Sequence, residues 1–207
     1  VSSSYSDGDN FGYRITSNGF EGETKSSWYS LYAEVAIKGE GEARPSAGWY
    51  ESSLYFDKLV KAGIGQKALE RVLRKVGQRK AKSGKYTMVV DPMNVSQLLS
   101  PLVDALYGSS LQQKNSFLLD KLNEKVLADK MTLIDEPHLL QASGARYFDS
   151  EGVATERRPV FENGVLKTYF IDTYNARKMG VSPTINSPSI LVMQTGLKDL
   201  DGLVAGV

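Results

Sequence analysis

The chain has 207 residues, with 25 Lys and Arg against 24 Asp and Glu, a net charge of +1, a single histidine and no cysteine. This length can bury a real core and suits one domain or parts of two, and the near-neutral balance argues against a dedicated nucleic-acid or polybasic membrane binder. Absent cysteine excludes disulfides, thiolate nucleophiles, iron–sulfur clusters and Cys-based zinc, and one imidazole, His138, excludes any motif that needs two from the same chain.

In chain order, Val1-Ser2-Ser3-Ser4-Tyr5 lacks the basic and apolar regions of a signal peptide. With no initiator Met there and an apolar end at Gly202 to Val207, both termini are expected to be cuts in a longer chain. No stretch approaches the ~20 apolar residues of a membrane span, and the expected compartment is the cytoplasm, since nothing here benefits from oxidation. Residues 5–55 are rich in Ser, Gly and Tyr. Strands are predicted at Gly12 to Thr16 and Ser27 to Ile37, broken by Gly39-Glu40-Gly41 and Pro45, as in an antiparallel sheet with one exposed face.

From Phe56 to about Lys82 the period turns helical. Ile64, Ala68, Leu69, Val72, Leu73 and Val76 form one predicted apolar stripe, with Lys67, Arg71, Arg74, Lys75, Arg79 and Lys80 on the opposite face. Ser83-Gly84 should stop this helix, and Tyr86 to Asp91 should follow as a buried strand. Asn94 is placed to cap a second helix through Val95, Leu98, Leu99, Leu102, Val103 and Leu106, kinked at Pro101 and ended by Gly108-Ser109-Ser110. Ser116 should cap a third, Phe117 to Asn123, and Met131 to Ile134 should be a strand stopped by Asp135-Glu136-Pro137. Val153 to Phe161 and Val165 to Ile171 alternate around Asn163-Gly164, the strongest hairpin signal in the chain, and a short helix is expected at Tyr174 to Met179. The fold class is α+β, with mixed sheets and amphipathic helices.

Local motifs yield no active site. Gly63-Ile64-Gly65-Gln66-Lys67-Ala68 matches the loose dinucleotide pattern, but that chemistry needs a strand running into the glycines, and Tyr55 to Ala62 reads as helix-like. Lys58 to Lys85 holds ten basic residues and one acid, +9 against −8 for the remainder. A solvated face or a patch for an acidic partner suits it better than a nucleic-acid platform, because exposed aromatics are not interleaved. Asp135-Glu136 and Asp149-Ser150-Glu151 have the oxygens a hard cation wants, yet both sit where short acids commonly serve turns. His138 lies beside Leu139-Leu140 and is expected to be a packed structural residue.

From Met88 onward the order of elements resembles the TldD/PmbA family, known as modulators of DNA gyrase. The resemblance is carried by Asn115-Ser116-Phe117-Leu118-Leu119-Asp120, Pro137-His138-Leu139-Leu140, Phe148-Asp149-Ser150-Glu151-Gly152-Val153 and Thr155-Glu156-Arg157-Arg158. Glu162-Asn163-Gly164-Val165-Leu166-Lys167 and Ala176-Arg177-Lys178-Met179-Gly180 extend it, so that it covers about residues 57–205, and 1–55 resemble the family more weakly. Asn123 departs from it, standing where the family has Gly.

The resemblance implies a two-domain fold, with 1–85 the C-terminal part of an N-terminal α/β domain and 86–207 the start of a mainly β central or C-terminal domain. In the TldD branch a His-Glu-x-x-x-His helix follows the strand matching Tyr86 to Asp91, and its two imidazoles bind a metal. Five residues advance a regular helix by about 500°, so that spacing implies a widened or kinked turn. Counted back from Ser116, those positions here fall on Leu99, Ser100 and Asp104, and only Asp104 retains a ligand-type side chain.

The Phe-Asp-Ser-Glu-Gly-Val and Thr-Glu-Arg-Arg segments resemble the PmbA or TldE branch, the non-metal subunit of the pair. The resemblance thus implies no cofactor in this chain and a zinc-binding TldD-like partner. It also implies a complex cutting unfolded or modified peptides, including peptide-antibiotic precursors and antitoxins. The alternatives are a DNA gyrase modulator acting through the basic helix, and a homodimeric module with no proteolytic role.

Overall fold

The computed structural model describes residues 1–39, 41 and 43–207, so that Glu40, in the predicted break after the second strand, lies outside the described residues. The chain divides into two compact units: residues 1–15 with 21–84, and residues 16–20 with 85–207. Helices and antiparallel sheets coexist in the α+β pattern expected from the sequence.

The first unit is a three-stranded antiparallel sheet, β1 (Ser2–Ile15), β2 (Glu21–Ala36) and β3 (Ser46–Ser53), in that order. The β1–β2 pairing runs unbroken from Ser2 opposite Glu34 to Ile15 opposite Glu21, far beyond the predicted Gly12 to Thr16. Glycine and aromatic content obscured these strands, and the pairing shows why both are there. Gly8 lies opposite Trp28, and a Cβ on it would come within 2.8 Å of the indole nitrogen. A Cβ on Gly48 would meet the Tyr32 hydroxyl at 2.5 Å. The glycines are clearances for rings lying across the neighbouring strand.

One helix, α1 (Ile64–Leu73), packs on β2 and β3. It is much shorter than the predicted Phe56 to Lys82, because Phe56–Lys58 forms a separate 3-10 turn and left-handed glycines bracket the helix, Gly63 at φ 78° and Gly77 at φ 75°. No strand runs into Gly63, so the glycine pair opens a helix without the strand–turn–helix context of a dinucleotide site. Ile64, Ala68 and Val72 are buried, whereas Leu69, Leu73 and Val76 are exposed. The predicted single stripe is therefore two. Tyr86 to Asp91 is not a strand: it has no regular structure, and Tyr86 and Met88 are exposed, since no neighbouring strand pairs with it.

The second unit contains α2 (Val95–Asp104), α3 (Gly108–Gln112) and a four-stranded antiparallel sheet. Its strands are β4 (Leu133–Asp135), β5 (Arg158–Glu162), β6 (Val165–Leu166) and β7 (Leu191–Met193), in the order β6-β5-β4-β7. α4 (Thr173–Met179) and α5 (Leu200–Val204) complete it. The Asn94 side chain makes no cap; Asp91 instead accepts from the Met93 N–H and sets up a 3-10 turn, Pro92–Asn94, that leads into α2. Gly108 starts α3 rather than ending α2, since a Cβ there would press on Ile171 and Asn175 at 3.0–3.2 Å. The predicted helix Phe117 to Asn123 is a run of turns: the Ser116 hydroxyl caps only the Leu118 N–H, and Asp120 and Asn123 have φ of 59° and 65°.

The turn at Asn163-Gly164 forms as expected, with φ of 49° and 81°, the mirror-image turn that matches strand twist. The strands it joins are shorter than the predicted Val153 to Phe161 and Val165 to Ile171, because only Phe161 with Leu166 and Glu162 with Val165 pair across it. Any side chain on Gly164 would run into the Leu127 carbonyl. Leu106, Val160, Phe161, Leu166 and Phe170 are fully buried at the centre of the core, flanked by Leu118, Leu133 and Ile185. Each such side chain contributes about 1.5–3 kcal/mol by leaving water. The Tyr169 hydroxyl ties this core to the turns above it, accepting from the Lys121 N–H at 3.0 Å and donating to the Leu118 carbonyl at 2.5 Å.

Candidate functional site

α2 carries Leu99, Ser100 and Asp104, the positions reached by counting back from Ser116. Leu99 is half-buried, while Ser100 and Asp104 are exposed, with Pro101 between them inside the helix. The Asp104 backbone carbonyl accepts from the Ser110 hydroxyl at 2.8 Å, which closes the end of α2 onto α3. Leu99 offers no donor atom and Ser100 only a neutral hydroxyl, so one carboxylate remains where zinc wants three or four nitrogen, sulfur or oxygen ligands. These residues do not fit a zinc centre. Among the described residues no three of His, Asp or Glu converge into a cation-sized cluster.

His138 is not the packed residue its neighbours suggested. It is exposed, as are Leu139 and Leu140, the last at 82%. Its ring leans on Tyr147 at 5.2 Å between centroids, and Nε2 lies 3.1 Å from the Thr155 hydroxyl. That hydroxyl already donates to the Arg146 carbonyl at 2.5 Å, so the imidazole must be the donor in the other bond.

The aspartates of the two acidic pairs are structural. Asp149, 2% exposed, is a turn residue: Oδ1 accepts from the Glu151 and Val153 N–H groups at 2.8 and 2.9 Å. Its Oδ2 reaches across to the Asn186 N–H at 3.1 Å. Asp135, also 2% exposed, ignores its own turn, and its Oδ1 accepts from the Ser189 and Ile190 N–H groups at 2.8 and 3.0 Å. Burial pushes its carboxyl above the usual range, against those two bonds and the nearby Arg158 and Arg146. Arg146 completes the clasp on the same segment, donating to the Ser187 carbonyl and hydroxyl, the Pro188 carbonyl and the Ser189 hydroxyl at 2.7–3.2 Å. Residues 186–190 are thus held by Asp135, Arg146 and Asp149, with the Ser150 hydroxyl also meeting the Asn186 amide. Of the acidic residues in these pairs, Glu136 pairs with Arg157 at 2.7 Å on the surface.

The basic face of α1 is placed differently from the expectation. Lys67, Arg71 and Lys75 each follow a buried residue, Ile64, Ala68 or Val72, by three positions, and so flank the buried stripe instead of opposing it. Lys67 pairs with Glu51 at 2.7 Å and sits over the Trp49 ring at 4.8 Å, Arg71 lies over the same ring at 5.5 Å, and Lys75 donates to the Ser46 carbonyl at 2.6 Å. Hydrogen bonds from Lys67 and Trp49 hold the Glu51 carboxyl below its usual range. Arg74, Arg79 and Lys80 lie beyond the end of α1 and are exposed.

With this geometry established, the chain can be set beside known proteins. The family described as PmbA/TldA metallopeptidase C-terminal domain matches residues 83–207, and the central domain of the same family matches 1–76. The Metalloprotease PmbA homolog of Haemophilus influenzae is 35% identical over 160 residues, which are 77% of this chain and 35% of that protein. Metalloprotease PmbA of Escherichia coli O157:H7 is 31% identical over 159 residues, with the same 77% and 35% shares.

Among solved structures, a Bacteroides thetaiotaomicron protein that carries the name of a DNA gyrase modulator is 74% identical, with a TM-score of 0.96 over 99% of this chain and 47% of its own. TldE from Thermococcus kodakarensis, at 20% identity and a TM-score of 0.75 over 93% of this chain and 46% of its own, shares the fold. The chain spans about a third of the two PmbA relatives and just under half of these solved chains.

Proposed function

The chain belongs to the PmbA/TldD metallopeptidase family, and from that membership we propose that it is the PmbA/TldE-like, metal-free subunit of a cytoplasmic peptide-cleaving complex. A TldD-like paralogue supplies the zinc, and unfolded or modified peptides are the substrates. One observation carries the reading. The positions assigned to the metal motif are Leu99, Ser100 and Asp104 on α2, and the only histidine stands on a separate exposed loop, bonded to Thr155. This subunit then shapes the chamber and presents substrate while its partner carries out hydrolysis.

Metal analysis tests the proposal. Full-length protein purified alone is expected to hold no stoichiometric zinc, and a tagged form is expected to co-purify with a His-Glu-x-x-x-His paralogue as an active peptidase. Stoichiometric zinc dependent on Asp104 in the isolated protein overturns the assignment.

The name of the Bacteroides thetaiotaomicron relative and the exposed Arg74, Arg79 and Lys80 favour a second reading, a modulator that meets DNA gyrase or its DNA. A salt-dependent DNA affinity that falls on reversing Arg74, Arg79 and Lys80 supports it, because phosphate contacts set the salt slope. No DNA binding at low salt removes the DNA form of it.

A further inference from the structure

We propose that a cavity beside α4 is a binding site for the free C-terminal carboxylate of a peptide. The proposal rests on the peptide-handling role given above. The cavity, about 530 Å³, is lined by Glu151, Thr173, Tyr174, Arg177 and Lys178. It is a depression open to solvent, with room for one or two amino-acid residues.

Both walls are fixed in place. One is the turn that ends in Gly152 (φ +80°), locked by the buried Asp149 carboxylate through the Glu151 and Val153 N–H groups. The face of Gly152 is covered by Phe20, so the turn cannot shift in that direction. The other wall is α4, anchored by its buried Asn175 and Ala176 and capped by Asp172. Tyr174, Arg177 and Lys178 are on the exposed side of that anchored helix.

The charges in the cavity do not cancel one another. Glu151 Oε2 accepts from the Thr173 N–H at 2.9 Å and the Thr173 hydroxyl at 3.0 Å. Among the described residues the Arg177 guanidinium has no carboxylate partner, although an acid lines the same cavity. Lys178 stands with Nζ 4.6 Å over the Tyr174 ring. A planar guanidinium is the group best matched to a carboxylate in a bidentate pair. Glu151 Oε1, which takes no hydrogen bond among the described residues, offers an acceptor for an amide N–H of the same ligand. A donor fork for an anion and an acceptor for an N–H in one cavity are the complement of a peptide end. Any anion here meets the Glu151 charge, and a dianionic phosphate meets it with about twice the charge of a peptide carboxylate and brings no N–H for Oε1.

The test uses full-length protein and two N-terminally labelled peptides of one sequence, one ending in a free carboxylate and one amidated, with inorganic phosphate as a competitor. Fluorescence polarisation is expected to show binding of the acid and at least tenfold weaker binding of the amide. Arg177→Ala should weaken the acid at least tenfold and Arg177→Lys less, both with unchanged circular dichroism because the side chain is on the surface. Equal binding of acid and amide, no binding of either, or wild-type affinity in Arg177→Ala overturns the site, as does phosphate binding tighter than the acid peptide. The titration needs neither partner nor metal. A failed subunit assignment would appear in the co-purification, and a failed site would appear only here.

Discussion

At the scale of single residues, Asp135 and Asp149 show how a buried carboxylate can serve as a fastener between chain segments remote in sequence. Their bonds to Asn186, Ser189 and Ile190 span 37, 54 and 55 residues. Asp135→Ala leaves two part-buried N–H groups without their acceptor and is expected to cost about 2–6 kcal/mol, since each unsatisfied donor costs roughly 1–3. Asp135→Asn keeps the oxygen that accepts both bonds and is expected to stay within about 1 kcal/mol of the parent at neutral pH.

Asp135 also carries a pH signature. Burial raises the folded pKa of Asp135 above the unfolded value of about 3.9. Its contribution to stability is therefore complete below that unfolded value and is lost as pH rises through the folded one. Urea titrations across the acid range should show the parent gaining on Asp135→Asn as pH falls. A constant difference between the two would contradict the assignment.

At the scale of elements, the cap of α4 works with the opposite sign. Burial disfavours ionised Asp172, but the Asn175 N–H and side-chain amide, at 2.8 and 2.6 Å, outweigh it with further backbone bonds and hold the carboxyl below its usual range. That contribution is present above about pH 4 and is lost as pH falls through the folded pKa. Asp172→Ala is expected to cost about 1–2 kcal/mol at neutral pH and much less in acid, measured by thermal unfolding at both.

Elements whose signal is local were legible in the sequence. Asn163-Gly164 dictates its own backbone, the run Ile64, Ala68, Val72 marks the buried side of α1, and Asp149 makes its turn with its immediate neighbours. What depended on distant partners was not legible. Tyr86 to Asp91 has the composition of a strand but no strand beside it, and β3 was hidden because its Gly48 makes sense only once Tyr32 lies across it. Leu69, Leu73 and Val76 joined the apolar period of α1 while facing away from the sheet, and Lys67 could be placed only once Trp49 and Glu51 were seen beneath it. At the candidate site, composition gave a single histidine and no cysteine. The clasp on residues 186–190 was not legible, because no sequence pattern links an aspartate to an N–H 54 residues away.

At the scale of the whole molecule, residues 78–90 join the two units without regular structure, and Arg79, Lys80, Lys82 and Lys85 are exposed along them. Limited trypsin digestion of the folded protein is expected to cut here first, ahead of sites within sheets and helices, with mass spectrometry locating the cuts. Early cleavage within β2 or β5 instead would contradict this division. The boundary in sequence is not the whole boundary in structure, because residues 16–20, the turn between β1 and β2, are grouped with the second unit, where Phe20 meets Phe148 edge-on at 4.9 Å. During synthesis that phenylalanine leaves the ribosome well before its partner Phe148. The second unit therefore finishes folding around a piece made before almost all the rest of it, and a fragment started at Lys85 would be translated without it.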